Sequence, residues 1–298
     1  MTARHTNDPH TLPTPGPAPG WTPVQRQRLR QLNVPEQEEE LVFANPEERD
    51  QAFREIEKRL SQEQRRQLKA LQGSVGEAAP SPRILRLEAT LATGLRGAGF
   101  TQVRTPTLLS RRLLARMGIR EGHPMYDRMF WVDDRHCLRP MLAPHLYSLL
   151  VDLARVWDRP IRLFEVGSCF RRETRGSQHA AEFTMLNLVE MGLPGPSCRE
   201  RLETLARLVL QEAGIPEYRI EEKRSAVYGT TIDLVAGDLE LGSAAIGPHS
   251  LDRPWRITEA WVGIGFGLER LLMARENSGS LGRWSRSLEY LDGITLRL

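Results

Sequence analysis

Apolar residues recur at helical spacing in several parts of the chain. Leu87, Leu91 and Leu95 follow one another at four-residue intervals and Gly99 comes next, which predicts an amphipathic helix that ends there. The same spacing predicts helices at 146–153, 200–213 and 268–276. Leucines at rough helical spacing within a charged stretch predict two or three short helices between about residues 23 and 71.

Short apolar runs between turn-forming residues predict strands at 161–166, 183–190, 231–235, 239–241 and 261–264. A further run, 100–106, ends in Pro106, which suits an edge or an interface better than a central strand. The strands cluster around turns such as 175–177 and do not alternate regularly with helices. We therefore expect an α+β fold with a mainly antiparallel sheet flanked by helices.

Composition divides the chain into three regions. Residues 1–22 are rich in proline and poor in apolar residues, so we expect a disordered tail. Residues 23–80 form a small charged helical segment that closes with a linker at 73–82, where Gly, Ala, Ser and Pro are frequent. Residues 81–298 form the main domain, which is long enough to bury a substantial core.

The overall composition excludes several classes of protein. No run of about 18 apolar residues exists and the first twenty residues do not resemble a signal peptide, so we expect a cytoplasmic protein with no membrane partner. Cys137, Cys169 and Cys198 are too few and too far apart for a zinc cluster or a disulfide framework. A formal charge of +3 permits nucleic-acid binding without demonstrating it.

A predicted hairpin carries the first candidate chemistry. It joins a strand that closes with Phe170-Arg-Arg-Glu173 to the strand 183–190, through a polar loop. Alternation along the second strand places one set of side chains on a common face, which could form the floor of a binding site: Phe183, Met185, Asn187 and Val189. The planar fork of Arg171 suits phosphate oxygens, and Glu173 can accept from an amine. For this segment alone, a solvated surface hairpin is the simpler interpretation.

The segment 263–270 strengthens the case for a nucleotide. It places Gly263, Gly265 and Gly267 at a strand end, where backbone without side chains allows close approach, and it places Arg270 at the start of a helix. The glycine spacing and the absence of an alternating βαβ pattern differ from a dinucleotide-binding fingerprint. The two segments together therefore indicate ATP chemistry.

Two carboxylates suggest a divalent cation site. Asp238 and Glu240 lie two residues apart in a predicted strand, so both should face the same way, as magnesium bound to a nucleotide would require. Ser243 joins that face only if Gly242 introduces a bulge. A solvated strand edge is the alternative interpretation.

These residues resemble the three signature motifs of the class II aminoacyl-tRNA synthetases, with Pro106 in motif 1, Arg171 and Glu173 in motif 2, and 263–270 in motif 3. Within that class the chain is similar to the catalytic domain of the pyrrolysyl-tRNA synthetases over about residues 21–298. The segments that carry this similarity are Leu-Arg-Pro-Met-Leu-Ala-Pro at 138–144, Leu146-Tyr147, Glu-Phe-Thr-Met-Leu-Asn at 182–187, Val-Tyr-Gly at 227–229, Gly-Asp-Leu-Glu at 237–240 and Tyr-Leu-Asp-Gly-Ile at 290–294. It most resembles the bacterial form, in which the N-terminal tRNA-binding domain is a separate polypeptide.

The resemblance implies ATP-dependent activation of pyrrolysine or a similar Nε-acylated lysine to the adenylate, followed by transfer to the cognate tRNA. It implies that Arg171 holds the α-phosphate and the substrate carboxylate, Glu173 the adenine amine, and Phe183 one face of the adenine opposite Arg270. It further implies that the outer phosphates contact His179 and Arg270, and that magnesium is bound by Glu240 and Ser243.

The resemblance also implies an amino-acid pocket in which Asn187 bonds the side-chain amide of the substrate and Tyr228 closes as a lid. The remaining substrate-binding positions are Met141, Ala143, Leu146, Tyr147, Leu150, Val189, Trp261 and Gly265. An apolar pocket with a single amide suits a long acylated lysine, because burial of methylenes supplies affinity and one hydrogen bond sets the register.

The implied partners are tRNA, the amino-acid substrate, a second copy of the chain and the separate N-terminal protein. We expect residues 23–80 to bind tRNA, and the basic residues that could contact its phosphates are Arg26, Arg28, Arg30, Arg65, Arg66, Arg283 and Arg286. A solvated charged face is the alternative for each. The helix from Arg83 and the strand to Pro106 are expected to form a homodimer interface.

Three positions depart from the family pattern: His145 replaces Asn, Val189 replaces a small polar or thiol residue, and Thr230 replaces Asp. They leave open a class II synthetase for another amino acid, or a paralogue without catalysis that has a binding or regulatory role. The four residues Arg171, Glu173, Glu240 and Arg270 are present together, which favours catalysis. Asn187 argues against a purely aromatic substrate, because a buried amide would then be left without a partner.

Overall fold

The computed structural model describes residues 20–73, 80–172, 180–194, 197–225 and 229–298. Internal contacts divide the chain into two compact units, Met1–Ala78 with Ile294–Leu298, and Ala79–Gly293. Most of the proline-rich stretch and most of the linker predicted above lie outside the described residues. The domain boundaries at residues 22 and 80 stay predictions.

The first unit is helical and contains α1 (Pro23–Gln31), α2 (Glu36–Glu39) and α3 (Pro46–Ala70), together with the short strand β11 (Ile294–Thr295). Thr22 caps α1 by accepting from the Gln25 N–H, and Asn45 caps α3. The prediction that all of these helices would be short was wrong for α3, which has 25 residues. No glycine or proline occurs between Pro46 and Gly73, so neither helix-breaking residue ends this helix earlier.

The second unit contains, in chain order, α4 (Arg83–Gly97), β1 (Thr101–Gln102), β2 (Leu108–Ser110), α5 (Arg111–Arg116), β3 (His136–Leu138), α6 (Ala143–Leu153), β4 (Ile161–Phe170), β5 (Glu182–Met191), α7 (Cys198–Glu212), β6 (Arg219–Ser225), β7 (Gly229–Ala236), β8 (Leu239–Gly247), β9 (Trp261–Gly267), α8 (Leu268–Arg275) and β10 (Tyr290–Leu291). Every helix predicted from apolar spacing in this region is present.

A seven-stranded sheet organises the second unit, in the order β1-β4-β5-β9-β8-β7-β6. Among the described strands of this sheet, β1 and β4 pair in parallel and the other neighbours are antiparallel. The predicted α+β fold with a mainly antiparallel sheet is confirmed. The strand expected at 100–106 is reduced to the two residues of β1, at the sheet edge, and Pro106 lies beyond it.

The two faces of the sheet are covered differently. Helices α4, α7 and α8 pack on one face and form a core with inward residues of β5 and β9 such as Leu186, Leu188 and Phe266. On the other face, α6 packs against residues of the opposite alternation, which include Val189 and Trp261. One face therefore supplies the main core, and the other is available for a site.

No helix in the described residues combines the length and apolar character that a membrane span needs. The three cysteines are free and buried, as a structural role predicts. Burial raises the pKa of the Cys137 thiol to about 11 and that of Cys169 to about 12. Neither thiol is therefore a ready nucleophile near neutral pH.

Candidate active site

The floor of the site is a strip of backbone without side chains, where β5 lies beside β9. Cross-strand pairing places Gly267 opposite Met185, Gly265 opposite Asn187 and Gly263 opposite Val189. A Cβ added at Gly265 would lie 3.0 Å from Asn187 Oδ1 and 3.1 Å from the Met185 methyl carbon. The three alternating glycines therefore leave room for the β5 side chains to project over the sheet.

A cavity of about 470 Å³ opens above this floor. Its wall includes nearly all of the predicted site residues that the structure describes: Met141, Ala143, Leu146, Tyr147, Leu150, Arg171, Phe183, Asn187, Val189, Glu240, Ser243, Trp261, Gly265 and Arg270. The predicted alternation along β5 is confirmed, since Phe183, Met185, Asn187 and Val189 all line the cavity. Glu173, His179 and Tyr228 lie outside the described residues.

One end of the cavity is apolar, and α6 supplies much of its wall. Pro144 stands in the first turn of α6, where a missing N–H costs no helical hydrogen bond. The apolar stripe of the helix then points Leu146, Tyr147 and Leu150 at the sheet. Trp261 closes this end from β9 and meets the Tyr147 ring edge to face, with ring centroids 5.7 Å apart.

Among the described residues, one side-chain amide interrupts the apolar wall. The side-chain oxygen Oδ1 of Asn187 is buried and accepts no hydrogen bond from any described residue. A buried acceptor without a donor costs free energy, on the order of 1–3 kcal/mol. A ligand that brings an N–H group into the cavity would satisfy this oxygen.

The opposite end of the cavity is polar, and Arg171 lies there at the end of β4. Its Nε donates to the Pro140 carbonyl at 2.9 Å, and its guanidinium carbon lies 5.1 Å from the centroid of the Phe183 ring. Its backbone N–H donates to the Ala181 carbonyl at 2.9 Å, which closes the base of the hairpin. Arg171 therefore enters the cavity with a defined orientation.

A buried ion pair supports the segment that orients Arg171. Arg139 donates from Nη1 to Glu165 Oε1 at 2.8 Å, and both side chains are almost fully buried. Glu165 also accepts from the Thr105 N–H at 3.0 Å and from its hydroxyl at 2.6 Å. Gly167 leaves room for this pair, because a Cβ there would lie 2.1 Å from Arg139 Nη2. The pair thus fixes the backbone just before the Pro140 carbonyl.

The carboxylates of the polar end differ from the sequence prediction in one respect. Asp238 does not share a strand face with Glu240, because it lies with Gly237 in the exposed turn between β7 and β8. The second carboxylate is that of Asp233, which stands directly across β7 and β8 from Ser243 and accepts from the Ser243 hydroxyl at 2.7 Å. Its sequence signal was weak, since it lies in an otherwise apolar run.

A bulge brings Glu240 and Ser243 to the same side. The pairing of β7 with β8 shifts between Leu234 and Val235, which leaves Leu241 as an extra residue on β8. Both Glu240 and Ser243 consequently line the cavity. Arg270 donates from Nη1 to Glu240, at 3.1 Å to the carbonyl oxygen and 3.2 Å to Oε1.

A cation that the sequence did not indicate lies between the two carboxylates. The Lys223 ammonium on β6 is 3.6 Å from Asp233 Oδ2 and 3.8 Å from Glu240 Oε2. The strand β6 was not predicted, because its sequence is mostly charged and lacks the alternation of a half-buried strand. Lys223 and its neighbour Arg224 both line the cavity.

Glu269 is a buried carboxyl beneath the polar end. Its oxygens accept the Thr184 N–H at 2.8 and 3.0 Å. Burial raises the pKa of Glu269 to about 7, and the hydrogen bonds from its own backbone and from Thr184 oppose that rise. Its position in the first turn of α8 fixes it next to Arg270.

Other predicted residues lie away from the cavity. His145 is buried in α6 and does not line the cavity; burial lowers its pKa, and the charge of Arg139 lowers it further, while Glu165 opposes this. Arg283, expected to be available to tRNA phosphates, is buried and donates to the Gly293 carbonyl at 2.8 Å, so that expectation was wrong. Arg286 is exposed and pairs with Glu182.

Comparisons with known proteins agree with this architecture. The family model described as tRNA synthetase class II core domain (G, H, P, S and T) matches residues 130–253. The histidine–tRNA ligase of Bordetella pertussis is 28% identical over 149 residues, 48% of this chain and 34% of the relative. The threonine–tRNA ligase of Cereibacter sphaeroides is 34% identical over 101 residues, 31% of this chain and 16% of the relative. The chain thus matches about a third or less of the length of these relatives. Fold and site together define a class II aminoacyl-tRNA synthetase core.

Two solved structures cover nearly the whole chain. A crystal structure of pyrrolysyl-tRNA synthetase from Desulfitobacterium hafniense is 48% identical, with a TM-score of 0.87, and the match covers 94% of this chain and 99% of that one. A second structure from the same organism, described as a pyrrolysyl tRNA synthetase, is 46% identical with a TM-score of 0.87, covering 98% and 100% of the two chains. The chain belongs to the pyrrolysyl-tRNA synthetase family.

Proposed function

We propose that the protein activates pyrrolysine, or a similar Nε-acylated lysine, with ATP and transfers it to its cognate tRNA. The observation that carries this proposal is the division of one cavity into an apolar end and a polar end, with the unsatisfied Asn187 amide oxygen in its wall. An acylated lysine has a long apolar chain and an amide N–H, and both match this wall. The charged amine of free lysine would lose its hydration there without gaining a partner.

The first step would be attack of the substrate carboxylate on the α-phosphate of ATP, with release of pyrophosphate. Arg171 is suited to hold both reacting groups, because its guanidinium is a permanent cation with a fork of donors. Its contacts with the Pro140 carbonyl and the Phe183 ring orient it before any substrate binds. Such preorganised charge is the main source of catalysis in phosphoryl chemistry.

The remaining residue roles are proposed from the family motifs. Phe183 and Arg270 would enclose the adenine, and Arg270 would also contact the outer phosphates. Glu173 would accept from the adenine amine, His179 would reach the outer phosphates, and Tyr228 would cover the amino acid as a lid. These assignments rest on the match of each position to the motifs of the family.

The donor set at the polar end fits magnesium. Glu240 supplies a carboxylate and Ser243 a hydroxyl on the same side of β8, with the Asp233 carboxylate next to Ser243. Magnesium prefers oxygen ligands and commonly takes only one or two carboxylates from the protein, the rest coming from phosphates and water. When bound, it would neutralise charge on the leaving pyrophosphate.

The remaining partners are part of the same proposal. Residues 23–80 would bind tRNA, the chain would pair as a homodimer through the helix from Arg83 and the strand to Pro106, and a separate N-terminal protein would add tRNA contacts. Because translation takes place in the cytoplasm, the reaction would take place there too. Light scattering on the purified protein tests the dimer, and a monomeric mass would contradict it.

ATP–pyrophosphate exchange tests the reaction and its substrate. Pyrrolysine and an Nε-acylated lysine are compared with lysine, phenylalanine, histidine, threonine and no amino acid. We expect exchange with the acylated lysines only, and its loss in Arg171→Ala. Arg172→Ala is the matched control, since Arg172 is the exposed neighbour, stacks on Phe130 and does not line the cavity.

Two other results would change the proposal in different ways. Exchange that depends on another amino acid would retain the class II reaction and reject the substrate. No exchange with any amino acid by folded protein would favour a binding or regulatory paralogue.

A further inference from the structure

Asp252 lies behind the apolar wall of the cavity, in the 3₁₀ turn Ser250–Trp255. Its side chain is essentially inaccessible to solvent and does not line the cavity. Its carboxylate accepts three hydrogen bonds. Oδ1 accepts from the Tyr147 hydroxyl at 2.9 Å, while Oδ2 accepts from the Trp261 indole N–H at 2.9 Å and from the His249 backbone N–H at 2.7 Å.

Two of these donors belong to walls of the cavity that come from different elements. Tyr147 is on α6 and Trp261 is on β9, so neither element alone fixes the angle between their rings. The rings meet at 82°. Because one carboxylate accepts from both the Tyr147 hydroxyl and the Trp261 indole N–H, it sets the distance between the two walls.

The backbone beside Trp261 leaves space for the indole to reach Asp252. Gly247 is the cross-strand partner of Trp261, and a Cβ there would lie 1.8 Å from the indole nitrogen. Any other residue at this position would push the indole away. The missing side chain thus gives the indole N–H its path to the carboxylate.

The charge of Asp252 has no ionic partner among the described residues. A carboxylate buried in this way depends on its hydrogen bonds alone. An apolar residue could fill the same space without that cost, but it could not orient two ring donors at once. The three convergent donors indicate that the carboxylate orients the two rings of the cavity wall.

We propose that Asp252 is a positioning residue that determines substrate specificity, because it fixes the Tyr147 and Trp261 rings at the apolar end of the cavity. The inference rests on the function proposed above and deepens it, since it names what sets the width available to the acyl group. Asp252 itself does not contact the substrate. Its effect reaches the substrate through the two rings.

The test compares Asp252→Ala, Asp252→Asn and Tyr147→Phe in ATP–pyrophosphate exchange with two substrates, Nε-acetyl-lysine and the bulkier Nε-benzyloxycarbonyl-lysine. Without the carboxylate the rings lose their common anchor, so Asp252→Ala should raise KM for the bulky substrate about tenfold, the effect of one to two hydrogen bonds. KM for ATP should stay within about twofold, because the polar end does not depend on these rings.

Asparagine should restore most of the function. Its carbonyl oxygen can accept the two N–H groups, and its amide can donate to the Tyr147 oxygen, which can also act as an acceptor. We expect a KM for the bulky substrate within about threefold of the parent value for Asp252→Asn. For Tyr147→Phe, which keeps the ring and loses the hydrogen bond to Asp252, we expect a rise in this KM of about two- to threefold. Asp158→Ala, at an exposed aspartate, serves as the control.

A purely structural role predicts another pattern. Asp252→Ala would then reduce kcat for both substrates equally, in step with the folded fraction, and would leave their relative kcat/KM unchanged. That result overturns the inference, and so does a parent-like KM in Asp252→Ala. If Asp252→Ala does not fold, an unchanged KM for the bulky substrate in Tyr147→Phe overturns it.

Exchange activity of the parent protein distinguishes failure of the proposed function from failure of the proposed role of Asp252. Exchange by the parent with either acylated lysine supports the function whatever the variants do. Parent-like selectivity in the variants would then reject the role of Asp252 alone. No exchange by the parent with pyrrolysine or with either acylated lysine would reject both.

Discussion

Asn187 faces Gly265 across β5 and β9, and its amide oxygen lies 3.0 Å from where a Cβ at Gly265 would stand. That distance is shorter than ordinary van der Waals contact, so alanine at 265 would displace the amide that we propose reads the substrate. We expect Gly265→Ala to raise KM for the acylated lysine about tenfold, as loss of one well-placed hydrogen bond would. Exchange kinetics at saturating ATP measure it.

Gly279→Ala is the matched control for this substitution. A Cβ at Gly279 meets nothing within 4 Å, so the variant should retain the parent KM. If Gly265→Ala also kept the parent KM, the close packing of Asn187 against Gly265 would have no functional consequence.

Lys223 provides the second prediction, because its ammonium lies 3.6 Å from Asp233 and 3.8 Å from Glu240. A bound divalent cation would share the same carboxylates and compete with the lysine. We expect Lys223→Ala to lower the magnesium concentration for half-maximal exchange by about two- to threefold, a small effect because the lysine is largely exposed. Titration of exchange activity with MgCl₂ measures it.

The control for Lys223 is Arg219→Ala, on the same strand. Arg219 is 60% exposed, pairs with Glu221 and does not line the cavity. A magnesium requirement that rises in Lys223→Ala would mean that the ammonium assists the nucleotide more than it competes with the cation.

The sequence predicted the elements whose pattern is local. Alternation along β5 was sufficient to place Phe183, Met185, Asn187 and Val189 on one face, because side chains in a strand alternate regardless of the neighbouring strand. The antiparallel sheet and the helices on its core face followed from similar periodicities. The residues that the resemblance assigned to ATP, magnesium or the amino acid likewise line one cavity wherever the structure describes them.

The sequence did not predict features that depend on register and distant partners. Asp233 is buried in an apolar run and acquires its place from the pairing of β7 with β8 around the bulge at Leu241. Asp252 receives donors from Tyr147 and Trp261, which are far from it along the chain or in another element. No local periodicity encodes such contacts, so they appear only in the folded chain.

Glu269 provides a prediction for pH. Burial raises the pKa of this carboxyl from its ordinary value of 4.5 to about 7. Between these values the unfolded chain has released the proton while the folded chain still holds it, so the free energy of unfolding should fall as pH rises. The pKa difference corresponds to a loss of roughly 3 kcal/mol in the free energy of unfolding. This loss is complete above about pH 7 and absent below about pH 4.5.

Glu269→Gln should remove this dependence, because glutamine stays neutral and its carbonyl oxygen can still accept the Thr184 N–H. Urea unfolding at several pH values between 4.5 and 8 measures the difference between variant and parent. Glu200→Gln, at an exposed glutamate, is the control and should follow the parent curve. A constant difference between Glu269→Gln and the parent across this range would reject the assignment.

Arg65 and Arg66 provide the final prediction, since both are exposed on α3. Among the described residues, their only ion pair is a 3.8 Å contact of Arg66 with Glu63. Reversal of both charges should weaken tRNA binding and leave exchange unchanged, because adenylate formation does not involve tRNA. The slope of log affinity against log salt should fall by about 0.7–0.9 for each lost phosphate contact. Filter binding of the cognate tRNA across a salt series measures both quantities.

Arg155→Glu, at an arginine that is 75% exposed just beyond α6, controls for net charge with half the change in charge of the double variant. Equal weakening by Arg155→Glu would mean that overall charge, and not the α3 surface, governs affinity, and parent-like binding in the double variant would remove α3 from the tRNA interface.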